Sequence, residues 1–255
     1  MPGNIISNGK PLCGLYQCCR FSYPPNSLSL CGPAKASNLR HYSLTGLTDI
    51  GTAEILSQFS TLYPYLCLIA YENKISDPFD NRVVEAYWLG NSLLYKIKKS
   101  AFYNLLNEKL SLRKKLNRSD LEIISNKFRY ESVPHHSFHV LNIYIRTGHF
   151  DLPHTLETMD ACLVNYGKII SISKGKIRIR TQRLKQFKGK LYMEKNCIKE
   201  ISKQGAHDIL FQSLSVGDDV SYHWGFLTSR LTLRQRANLK YFTGVSVNLA
   251  NTKNL

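Results

Sequence analysis

Two short stretches hold the residue types most suited to chemistry. Met159-Asp160-Ala161-Cys162-Leu163-Val164-Asn165-Tyr166-Gly167-Lys168-Ile169-Ile170 sets one cysteine just ahead of an apolar, β-branched run. Val216-Gly217-Asp218-Asp219-Val220-Ser221-Tyr222-His223-Trp224-Gly225-Phe226-Leu227 sets one histidine at the end of another such run, after a Gly-Asp turn. A thiolate beside an imidazole suits either a transition metal or nucleophilic sulfur chemistry. The pair can meet only if the strands between them close on themselves.

A second cluster lies upstream. Pro134-His135-His136-Ser137-Phe138-His139-Val140 carries three histidines in five residues and runs into Leu141-Asn142-Ile143-Tyr144-Ile145, which alternates like a strand. In an extended segment side chains alternate faces, so His135 and His139 share one face and His136 points the other way. A metal held by His135 and His139 needs a bend and a further ligand. Cys31, in the turn Cys31-Gly32-Pro33, and His41 are candidates. The expectation is one composite site in which His135 or His139 faces Cys162. Hydrogen bonding to the backbone is the plainer alternative for these histidines.

A third feature is electrostatic. The chain carries 34 Lys+Arg against 18 Asp+Glu, a net charge of +16. Residues 159–255 hold 17 of the basic and 6 of the acidic residues. Lys174, Lys176, Arg178, Arg180, Arg183, Lys185, Lys188 and Lys190 line one hairpin, with Phe187 and Tyr192 available for stacking. Such a face can bind single-stranded nucleic acid, and a lysine-rich surface composition is the competing explanation.

The positioning elements follow from periodicity and turn chemistry. Residues 1–33 read as loop with short extended pieces, broken by Pro24-Pro25 and Cys31-Gly32-Pro33; Cys18 and Cys19 read as small buried thiols. Helical spacing begins after Asp49 and again after Asp80, a good N-cap, and continues across Gly90, where close packing of another segment is expected. Further helices are expected near 100–116 and 119–128, the second capped by Ser119. Beyond Pro153 short alternating runs separated by Ser173-Lys174-Gly175 and Val216-Gly217-Asp218 read as strands, residues 202–212 as a polar loop, and Leu231–Phe242 as a helix capped by Thr232. The expected fold is α+β: a mainly helical domain over 1–155, then a small antiparallel OB-like β-barrel with a C-terminal helix over 156–255.

Met159, Cys162-Leu163 and Gly167-Lys168-Ile169-Ile170 together resemble the start of the HypC/HupF family of [NiFe]-hydrogenase maturation chaperones, Met-Cys-Leu-x-x-Pro-Gly-Lys-Val. Val216–Leu227 resembles that family's second hallmark, Val-Gly-Asp-x-Val-Leu-Val-His-x-Gly-Phe-Ala. Asp160 and Ala161 are inserted here, Tyr166 stands where the family has proline, and the intervening strands are more basic. Cys31-Gly32-Pro33, Asp77–Trp88 and Pro134–His139 also look like an uncharacterised microbial family that joins such a helical region to a HypC-like tail. The resemblance implies that Cys162 is a thiolate ligand and His223 the group beside it. The cargo it implies is iron, as an Fe(CN)2CO fragment, and the partner a HypD-like maturation protein or a hydrogenase large subunit. It implies a carrier rather than an enzyme. The nucleic-acid reading, through Lys176, Arg178, Arg180, Arg183, Lys185 and Phe187, stands as the alternative. A thiol enzyme with Cys162 as nucleophile and His223 as base is a third.

The totals narrow the class. Hydrophobic content of 43% and charged content of 20% are those of a globular chain. No apolar run approaches the roughly 20 residues of a membrane span, and Met1–Pro11 lacks the apolar segment of a secretory signal. An odd number of cysteines, seven, points to reduced thiols and a cytoplasmic location.

Overall fold

The structure, a computed structural model, describes residues 13–143 and 154–252. The expectations for Met1–Pro11 and for Tyr144-Ile145 lie outside the described residues.

The chain runs through α1 (Gly14–Ser27), α2 (Ala36–Thr45), α3 (Ile50–Ser57), α4 (Leu62–Glu72) and α5 (Asn81–Trp88). A 3-10 turn at Ser92–Lys96 leads to α6 (Lys99–Glu108), α7 (Leu112–Lys115) and α8 (Arg118–Lys127). The three-residue α9 (His136–Phe138) passes straight into a π-helical turn, His139–Ile143. Then come α10 (Leu156–Cys162), β1 (Asn165–Ser173), β2 (Lys176–Phe187) and β3 (Lys190–Ser202). They are followed by α11 (Ile209–Gln212), β4 (Asp219–His223), β5 (Phe226–Arg230) and α12 (Leu233–Ala250). The fold is therefore α+β, a helical N-terminal region followed by a five-strand sheet and a C-terminal helix. No helix among the described residues is long and apolar enough to cross a membrane.

The sheet is mixed. Its strand order is β1-β2-β3-β5-β4, with β4 returning to β1. Every neighbour pair is antiparallel except β3 with β5, which meet in parallel at Ser202 and Phe226. This corrects the expectation of a purely antiparallel arrangement. The reason is topological: five strands cannot close with every neighbour antiparallel, because directions must alternate around the ring and five is odd.

The largest correction lies near the N-terminus, where α1 replaces the expected loop. Tyr16, Cys18, Cys19, Phe21 and Tyr23 are all buried along it, and that burial overrides the prolines at its end. α1 packs against α2, α3 and α5 on one side and against β4 and β5 on the other. Arg20, fully buried, spans this junction: it donates to Asp208 Oδ1 at 2.8 Å and to the carbonyls of Ser43, Leu227 and Thr228. Residues of the helical region share their main core cluster with Val164, Leu231, Leu239, Phe242 and Leu249.

Smaller differences have local causes. The expected strand at 141–145 is a π-helical turn through Ile143, because His139 to Ile143 are buried without alternation. α8 is capped by Asn117, whose side chain accepts from Asp120 N, not by Ser119. Gly90 lies beyond α5 at a φ of +84°, and a Cβ there would stand 2.0 Å from the Phe242 ring, so the expected close packing is found outside the helix. α11 interrupts the expected loop at 202–212, and α12 continues past Gly244 to Ala250. Asp80 and Thr232 cap their helices as expected, and Asp49, after which helical spacing was expected to begin, caps α3.

Candidate metal centre

Cys162 is the last residue of α10, and His223 is the last residue of β4. The β4–β5 turn, Trp224-Gly225, has positive φ at both positions, 50° and 79°, as a two-residue hairpin turn requires. The last turn of a helix leaves carbonyls without partners. Two of those in α10 are taken by groups of the site. Trp224 N–H donates to Ala161 O at 2.8 Å, and His136 Nε2 donates to Cys162 O at 2.8 Å. The hairpin turn and α9 are thereby docked on the cysteine's helix. One ligand atom each from His136, Cys162 and His223 lie within 4.8 Å of one another.

The tautomers follow from the partners. A carbonyl only accepts, so His223 Nδ1 carries the proton it gives to Phe21 O at 2.8 Å. Its Nε2 lone pair is buried and makes no hydrogen bond. The Cys162 carbonyl lies near that ring but takes its hydrogen bond from His136. A metal-binding histidine commonly has this arrangement, one nitrogen fixed on a carbonyl and the other presented.

The acceptor itself is made by proline. Within a helix Pro24 and Pro25 have no N–H for the carbonyls four residues back, which belong to Arg20 and Phe21. Both freed carbonyls are taken from the sheet side. Gln204 Nε2 donates to Arg20 O at 2.9 Å, and His223 donates to Phe21 O. The Pro-Pro pair, read in sequence as a loop signal, is what lets α1 orient the site histidine.

His136 is held at both nitrogens: its Nε2–H is on Cys162 O and its Nδ1 accepts from Tyr87 OH at 3.2 Å. Burial holds the Tyr87 hydroxyl well above its ordinary pKa, so it stays a donor. Burial likewise pushes His223 down to about 4 and, with the neighbouring His223, drives His136 well below the usual imidazole range. Both rings are neutral at pH 7, the form that binds metal. Trp88 covers them, its ring centroid 4.5 Å from that of His136 and 5.6 Å from that of His223.

The other sequence candidates are placed as follows. Cys31 lines a cavity of about 70 Å³ together with Cys162, His136, His139 and His223. Its turn is held by Asn26, whose side chain donates to the Cys31 and Pro33 carbonyls. His139 points Nδ1 at Tyr65 OH, 3.0 Å away. His135 caps α9, accepts from Ser137 N and stacks on Phe242 at 5.5 Å, outside the three-residue cluster. His41 is exposed on α2. His136 therefore joins Cys162, where alternation had favoured His135 or His139. A helical start at His136 turns the ring that an extended chain would point away. Cys18 and Cys19 are fully buried thiols, as read.

Sequence reasoning missed Phe21, Pro25, Tyr87, Trp88 and His154. The last of these lines the same cavity and bonds Val140 O. Nothing in spacing marks a lone histidine of this kind. No curated protein and no solved structure matches the chain. Residues 12–255 match the model of a family of unknown function (DUF6390), and the chain belongs to that family.

Proposed function

We propose that Cys162 and His223, with His136 beside them, hold a soft transition metal as cargo. The chain is then a HypC/HupF-like accessory protein of [NiFe]-hydrogenase maturation. It carries an iron fragment of the Fe(CN)2CO type and passes it to or from a HypD-like partner or the hydrogenase large subunit. In this reading the five-strand ring is an OB-like barrel with the site at its rim. The observation that carries the proposal is His223, whose buried Nε2 lone pair is fixed in direction by the Nδ1–H bond to Phe21 O, and which offers a ligand atom within 4.8 Å of those of His136 and Cys162. Thiolate and imidazole together suit a low-spin Fe(II) fragment. His136 can join only by giving up a hydrogen bond to Tyr87 or Cys162, so two ligands are committed and the third is exchangeable, which suits hand-off. The adjoining cavity offers room for small ligands on the metal. None of the seven cysteines forms a disulfide among the described residues, which fits a reducing cytoplasm.

The test is anaerobic purification from cells expressing hydrogenase maturation proteins, with metal analysis and infrared spectroscopy. The wild-type chain should carry iron with CN and CO stretching bands, and Cys162→Ala and His223→Ala should lose both while keeping their circular dichroism. Iron and bands unchanged in Cys162→Ala would sink the proposal. Iron without the bands would leave the metal site standing and remove the hydrogenase role.

A further inference from the structure

The β2 strand contains an irregularity that strict alternation hides. Its pairing with β3 shifts register between Thr181 and Arg183. Before the shift, Lys176, Arg178 and Arg180 face outward and Ile177 and Ile179 inward; after it, Arg183 and Phe187 face outward and Leu184 inward. Thr181 and Gln182 are both buried, so the outward set changes from even to odd numbers at the bulge. Without the extra residue, the two halves of the basic run would lie on opposite faces. With it, they form one line along a twelve-residue strand, with a side chain about every 6.6 Å.

The line ends in aromatics. Phe187 is 66% exposed and Tyr192, on the neighbouring strand opposite Lys185, is 43% exposed. The inward side chains of the same arm, Leu184, Leu191 and Met193, pack with residues of α10 and α12, so the arm is braced and its outer face is free. Residues 174–200 carry ten Lys+Arg and two Asp+Glu. Those two acids are engaged, Glu200 with Lys176 and Glu194 with Arg183. Glu157 lies near Lys185. Arg178 and Arg180 have no ion-pair partner among the described residues.

We infer that this outer face of the β2–β3 arm binds single-stranded nucleic acid, its phosphates along Arg178, Arg180 and Lys185 and its bases stacked on Phe187 and Tyr192. The reading is independent of the metal centre. A single strand fits better than a duplex because stacking on exposed rings needs unpaired bases. It fits better than an acidic protein because the cationic line shares its face with exposed aromatic rings, which stack on bases.

Fluorescence anisotropy with labelled 20-nucleotide single-stranded DNA and RNA tests it on the full chain. Three phosphate contacts at a slope of about −0.7 each predict a roughly 20-fold loss of affinity between about 50 and 200 mM salt. Phe187→Ala and Tyr192→Ala should each weaken binding about tenfold with the salt slope unchanged. Arg178→Glu with Arg180→Glu should weaken it at least 100-fold and flatten the slope, while metal content stays unchanged. Better binding of DNA or of RNA would name the strand used. Failure to bind either at 50 mM salt would overturn the inference. So would polyglutamate binding as tightly as the oligonucleotides with both aromatic variants silent, which would assign the face to an acidic protein segment.

Discussion

Two stretches that alternate alike in sequence, Lys176–Phe187 and Leu141–Ile145, meet the interior in different ways. The first is a strand with one wet face and one dry face, and its burial follows its pattern residue by residue up to the bulge. The second, over its described part, belongs to a π-helical turn buried on every side. Alternation is informative where one face meets water, because only then does polarity report direction. Where the whole segment is interior, a polar residue marks a hydrogen-bond partner instead. Asn142 illustrates this: it is fully buried, accepts from Lys127 Nζ at 2.9 Å and donates to Ser246 O.

This contrast predicts large effects inside and small ones on the wet face. The largest is expected from Arg20→Ala, which leaves Asp208 buried without its cation and frees three carbonyls. Urea unfolding should show a loss of about 4 kcal/mol, and a loss under 1 kcal/mol would mean that α1 is not the joint between helices and sheet. Acid is the next lever. His223 and His135 are held by burial at about 4 and about 3, below the roughly 6.5 of an unfolded chain. The unfolded state therefore takes up protons first, and stability falls as pH drops below 6.5. In the metal-free protein each of these histidines should cost about 2 kcal/mol at pH 5 relative to pH 7.5. Denaturation midpoints that stay flat across that range would contradict their burial.

Pro25→Ala should act more narrowly. It restores an N–H that competes for Phe21 O, changing stability by no more than about 1 kcal/mol. Under the proposed carrier function, affinity for iron should drop about tenfold, the effect of losing an orienting partner. Nitrogen-15 chemical shifts of the His223 ring would report the tautomer directly; unchanged shifts and affinity would separate the proline from the site. The smallest effect belongs to the wet face. Arg178→Ala should move stability by less than about 0.5 kcal/mol, and a larger change would show that the β2–β3 arm contributes to folding as well as presenting charge.

The sheet was the more legible part. β1 to β4 cover the expected runs, since turn residues such as Lys174-Gly175 and Gly217 mark their ends, although β2 continues past the expected Thr181 to Phe187 and β5 was not anticipated. The bulge at Gln182 was hidden because a buried glutamine looks like a surface one in sequence. The caps Asp80, in the helical region, and Thr232, before the C-terminal helix, were readable, because capping is a local bond between near neighbours. α1 was not, because its prolines argue locally for a loop and only its burial argues otherwise.

The sequence by itself determined the residue types: one thiol before a strand, one imidazole after another, and a cationic run ending in aromatics. Those are properties of short segments, set by turn chemistry and side-chain alternation. The tertiary structure decided which histidine stands beside Cys162, which nitrogen of His223 is presented, and that the two halves of β2 share a face. Each of these depends on a partner far along the chain, at Phe21, at Tyr87 or across the bulge, and local preference carries no information about a partner that only folding brings near.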